Sequence, residues 1–125
     1  MAKKIVLVIE KGDGGYWGRV DYEDNLIVEF APAIAELSAA MRQLLADFHG
    51  IDPQEVDFEH QFDLTALFEA YPELNISKVA DRAGINQSLM RQYKSAVKYP
   101  SEAQAKKIEQ AIHSLAHDLL KMHLV

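Results

Sequence analysis

Residues Asn75 to Ser101 read NISKVADRAGINQSLMRQYKSAVKYPS, and the spacing resolves into two short helices and a tight connection. The first runs from about Ser77 to Ala83 with Val79 and Ala80 inward; Ala80 is small enough for another helix to cross there. Gly84 tolerates the positive φ that commonly ends a helix, and Ile85 re-enters the core. Asn86 is a natural cap for the second helix, about Gln87 to Ser95, which buries Met90 and Tyr93. Ser101, with Gln104 three residues later, forms a capping-box pattern that opens a last helix carrying Ile108, Ile112, Leu115, Leu119 and Met122. The pattern is a helix-turn-helix followed by a long helix.

Working back from it, Asp63 caps a helix carrying Leu64, Leu67, Phe68 and Tyr71, which Pro72 ends. Before Asp63 the period changes from that of helices to that of strands. Ile5 to Ile9 is a continuous apolar run, suited to a strand covered on both faces or central in a sheet. Gly12-Asp13-Gly14-Gly15 is a turn. Tyr16, Gly18, Val20 and Tyr22 then alternate with Trp17, Arg19 and Asp21. Glu23-Asp24-Asn25 turns the chain into a third strand, where Leu26, Val28 and Phe30 share a face. Ile34, Leu37, Met41, Leu44, Leu45 and Phe48 follow at helical spacing up to Gly50, a helix expected to lie across the sheet. Val56, Phe58, His60 and Phe62 alternate with polar residues as a fourth strand. The expected fold class is therefore α+β: a βββαβ open sheet with one helix over residues 1–62, then an all-α helix-turn-helix domain over 63–125. The boundary falls near Gln61 to Leu64 without a flexible linker.

The chain has 125 residues, 49% hydrophobic and 26% charged, which excludes a large multidomain enzyme and an extended disordered chain. It has no cysteine, so neither a disulfide scaffold nor a thiolate metal site is available. No apolar run approaches the roughly 20 residues of a membrane span, and the N-terminal apolar stretch is too short for a signal peptide, so a soluble, cytoplasmic protein without membrane partners is expected. The net charge of −6 is unevenly spread. Residues 1–60 carry 5 basic and 12 acidic side chains, while Asn75 to Lys107 carry 7 basic and 2 acidic. The first suits a basic partner; the second is compatible with phosphate.

On a recognition helix opening after Asn86, Gln87, Ser88, Arg91 and Gln92 take the positions that face a major groove, where glutamine pairs with adenine and arginine with guanine. Lys78, Arg82, Lys94 and Lys98 are placed for phosphates. Trp17, Arg19, Asp21 and Glu23 are candidates for a partner surface, unless that face lies under the helix. Glu10, Asp13, Asp21, Glu23 and Glu29 are the carboxylates a two-metal nuclease would need, but most fall at turns or solvated edges, and no enzyme is expected. His113 and His117 lie one turn apart on the last helix without a third ligand and read as solvent-facing, so no metal or cofactor is implied. His60 reads as a core or rim residue. The apolar stripe of the last helix either packs on its own domain or forms a dimer seam.

Residues 64–115 resemble the phage-repressor and Cro type of DNA-binding domain, including the proline before the last helix; Ala96 stands where that family commonly has glycine. The opening IVLVIEKGDGGYWGRV, Ile5 to Val20, together with the C-terminal helix-turn-helix, resembles HicB-type antitoxins across nearly the whole chain. The resemblance implies a reduced, partial RNase H-like N-terminal domain that occludes a small basic RNase toxin, HicA-like, and a C-terminal domain that represses the operon by binding operator DNA. A homodimer or higher homo-oligomer is expected, since helix-turn-helix modules usually read two half-sites about one helical turn apart. Asp21 to Leu26 is a tight acidic connection where family members often have a longer Pro-Gly loop, so contacts of that loop are not implied. The reading from another class is a stand-alone regulator with a ligand-sensing or dimerising N-terminal domain; a third is an interaction module with a vestigial helix-turn-helix.

Overall fold

The computed structural model describes residues 2–125, a mixed α+β chain of four strands and five helices. It divides into two compact units, residues 1–70 and 71–125.

In the first unit, β1 (Lys3–Gly12), β2 (Gly15–Tyr22) and β3 (Asn25–Ala31) form an antiparallel meander, and β4 (Val56–Phe62) lies parallel beside β1, giving the order β3-β2-β1-β4. Between β3 and β4 comes α1 (Ile34–His49), ended by Gly50 at φ 65. Leu37, Met41 and Leu45 of α1 are fully buried against Ile5, Leu7, Ile9 and Val20. Each such side chain contributes about 1.5–3 kcal/mol through burial. Gly18 lets Leu37 sit directly on β2: a Cβ there would lie 2.9 Å from Leu37 Cδ2.

Only one sheet face is covered, which corrects several expectations. β1 is interior to the sheet, as expected, yet Val6 on its other face is 40% exposed. On β3, Ile27 and Ala31 pack on the core, whereas Leu26 and Val28 are exposed at 62% and 49%. The shared face of Leu26, Val28 and Phe30 is thus the open one, because α1 occupies the opposite side. Phe48 and His60 are likewise exposed.

The helix α2 (Leu64–Ala70) belongs with this unit. One Asp63 carboxylate oxygen accepts from the Ala66 amide at 2.7 Å and the other from the Lys11 amide at 3.0 Å, so the cap also ties the helix to β1. Ala66 is fully buried in the sheet core. Glu69 pairs with Lys11 at 2.9 Å, and that hydrogen bond holds the Lys11 ammonium above its ordinary value. The division at residue 70 rather than 62 follows from these contacts.

In the second unit, α3 (Ile76–Ala83), α4 (Gln87–Lys94) and α5 (Glu102–Leu120) pack around Val79, Ala80, Ile85, Met90, Tyr93, Ile108 and Ala111. Leu119 and Met122, expected on the stripe of the last helix, are exposed. Among the described residues no helix is long and apolar enough to cross a membrane.

Candidate nucleic-acid interface

Local chemistry sets the geometry of the α3–α4 connection. The Asn75 side chain caps α3 by accepting from the Lys78 amide at 3.1 Å. Gly84 ends it at φ 70, and the Ile85 amide reaches back to the Ala80 carbonyl at 2.9 Å, closing the helix end in the Schellman manner. The Asn86 side chain accepts from the amides of Ser88 at 2.8 Å and Leu89 at 3.2 Å. Three residues therefore separate two capped helices that pack on each other, with Ala80 of α3 fully buried.

With Met90 and Tyr93 fixed inward, α4 turns the row of Gln87, Ser88, Arg91 and Gln92 the other way. Ser88 and Arg91 are exposed; Gln87 and Gln92 are half-buried. Gln87 is pre-oriented, since its Nε2 donates to Asp81 Oδ1 at 2.9 Å and its amide oxygen stays available. Lys78, Lys94 and Lys98 are exposed. The Arg82 guanidinium donates to Ser114 Oγ at 3.1 Å and Asp118 Oδ2 at 3.0 Å, tying α3 to α5. A phosphate at Arg82 has to compete with that carboxylate.

The charge separation follows the two units. Residues 1–70 hold 5 basic and 14 acidic side chains, a net of −9, and residues 71–125 hold 8 basic and 5 acidic, a net of +3.

On the first unit, Trp17, Arg19 and Asp21 lie on the open sheet face, opposite Phe30, Val28 and Leu26 respectively. Of the two alternatives for these residues, the uncovered one is observed: Trp17 is 49% exposed. Its ring packs on Phe30 with centroids 5.0 Å apart, and Arg19 Nε pairs with Glu10 at 3.2 Å. A shallow hollow of about 190 Å³ is lined by Glu10, Trp17, Gly18, Arg19 and Val28. Glu23 is not grouped with them; it occupies the β2–β3 turn at φ 48 with its carboxylate 4.0 Å from His49 Nδ1. Val28 was missed as a surface residue. Its pairing with Arg19 follows once the turn is two residues long, Glu23-Asp24, with Asn25 already in β3.

His113 and His117 are exposed on α5, and among the described residues no three His, Asp or Glu side chains are grouped to hold a metal ion. No protein-family model, curated protein or solved structure matches the chain.

Proposed function

We propose that the chain is a DNA-binding repressor whose N-terminal unit grips a basic protein, acting as the antitoxin of a toxin-antitoxin pair of the HicB type. The observation that carries the reading is the doubly capped α3–Gly84–α4 turn, which leaves Gln87, Ser88, Arg91 and Gln92 as one polar row on a short helix with a buried back. A helix so placed enters a major groove, with Lys78, Lys94 and Lys98 flanking it for phosphates. The βββαβ order, with β4 parallel to β1, supports a partial RNase H-like N-terminal domain. Its net charge of −9 and the uncovered face around Trp17 support a basic protein as the partner, bound by occlusion rather than by catalysis.

The DNA reading is tested by salt-dependent binding to the DNA upstream of the gene. Affinity is expected to fall steeply with salt, and Arg91→Ala to cost about 1–3 kcal/mol while relaxing preference at one base pair. An equal loss on all sequences would assign Arg91 to phosphate. The antitoxin reading is tested by growth of cells expressing the adjacent small reading frame, alone and with this protein. Arrest relieved by co-expression supports it; a harmless neighbour leaves a stand-alone regulator.

A further inference from the structure

The hydrogen-bond parity of the sheet follows from its two hairpins. Gly12 pairs with Gly15, and Tyr22 with Asn25, each across a two-residue turn. Residues flanking such a turn form a hydrogen-bonded pair, and the pairs then alternate along the ladder. The backbone groups of Asn25, Ile27, Glu29 and Ala31 are thereby committed to β2, and those of Leu26, Val28 and Phe30 face the free edge of the sheet. The outward amide of Phe30 is occupied locally, donating to the Glu29 carboxylate at 3.0 Å.

Monomeric sheets usually blunt such an edge with charged side chains, lysine above all, with inward-pointing charges, proline, a bulge or a covering element; on β3 Glu29 is the one charge, and it occupies a single edge amide, that of Phe30. β3, NLIVEFA, contains neither lysine nor proline, and Leu26 and Val28 beside the edge are exposed. We propose that this edge pairs antiparallel with β3 of a second copy, the two-fold axis passing at Val28, so that two four-stranded sheets become one. Overlap and charge together select that axis: it alone pairs all three outward residues with outward residues of the second copy, Leu26 with Phe30 and Val28 with itself, whereas an axis at Ile27 sets Phe30 opposite Asp24 in the turn and an axis at Glu29 sets that carboxylate against itself. It sets Glu29, the one charge on the strand, opposite Ile27 of the second copy. It also brings the acidic turn Glu23-Asp24 to Pro32 and Ala33 of the second copy, at the start of α1, where unpaired amides favour negative charge. An axis at Leu26 would set Glu23 against Glu29, and an axis at Phe30 would set Pro32, which has no N–H, in a hydrogen-bonding position opposite Val28. Pairing also requires the Phe30 amide to exchange the Glu29 carboxylate for the Leu26 carbonyl of the second copy. This surface is independent of the DNA reading.

The full chain has no cysteine, so Val28→Cys and Leu26→Cys each introduce a single thiol. At the axis, hydrogen-bonded partners lie about 5.5 Å apart between Cα atoms, within disulfide reach. Two copies of residue 26 are separated by four residues along the pairing, roughly 13 Å, which is too far. Oxidised Val28→Cys protein is expected to run at twice 14.1 kDa without reductant, whereas Leu26→Cys, at the more exposed position, does not link. Equal linkage of both, or linkage of Leu26→Cys alone, overturns the proposal. Val28→Pro removes an outward N–H and leaves the bonds to β2 intact. It is expected to halve the native mass measured by sedimentation, with circular dichroism unchanged; a folded Val28→Pro protein of wild-type mass overturns the pairing.

Discussion

Ala96 adopts φ 61, the left-handed conformation that costs a residue with a Cβ roughly 1–2 kcal/mol. It closes α4, with the Val97 amide donating to the Gln92 carbonyl at 3.0 Å, the same device by which Gly84 closes α3. The backbone keeps a glycine conformation without the glycine. Ala96→Gly is therefore expected to stabilise the second unit by about 0.5–1 kcal/mol, since the freer unfolded chain offsets part of the relieved strain. Urea denaturation checks this, and an unchanged or lower midpoint would mean that Ala96 is not strained. Gly18 poses the reverse case. Its added Cβ would press on Leu37, which is fully buried and has nowhere to retreat, so Gly18→Ala is expected to cost about 1–3 kcal/mol in the same assay.

Among the elements, the second unit is held by polar ties as well as by apolar burial. Arg82 joins α3 to α5 through Ser114 and Asp118, and so withholds a cation that the spacing alone offers to phosphate. Asp118→Asn weakens that hold. The freed guanidinium adds one phosphate contact, expected to steepen the slope of log affinity against log salt by about 0.9 and to tighten binding at low salt. An unchanged slope would place Arg82 away from the DNA backbone. The elements themselves were legible in the sequence where their causes are local. Asn86, Ser101 and Gly84 announce helix ends through their own side chains or freedom, and Met90 and Tyr93 follow from helical period. Facing on β3 was not legible in the same way. Leu26, Val28 and Phe30 are the more apolar set, yet Ile27 and Ala31 are inward, because the side that α1 covers is decided by its packing on Val20, Ile9 and Leu7. The tie of Arg82 to Asp118 was not legible for a similar reason: the two lie 36 residues apart in sequence.

At the scale of the whole chain, the division into two units places α2, the helix expected to open the second domain, on the other side of the boundary. Asp63 bonds the Lys11 amide, Glu69 bonds the Lys11 ammonium, and Ala66 fills the sheet core, so α2 completes the first unit. A fragment of residues 1–70 is accordingly expected to fold by itself and melt cooperatively. A fragment ending at residue 62 lacks the cap and Ala66, and exposes Ile9 and its neighbours at the end of β1; losing even part of that burial costs several kcal/mol, a large share of the stability of so small a core. It is expected to melt well below the longer fragment or to remain unfolded at 25 °C. Thermal melts of the two fragments followed by circular dichroism decide the matter. If both melt alike, α2 is only docked on the sheet, and the helices from residue 63 onward regain their claim to be one domain.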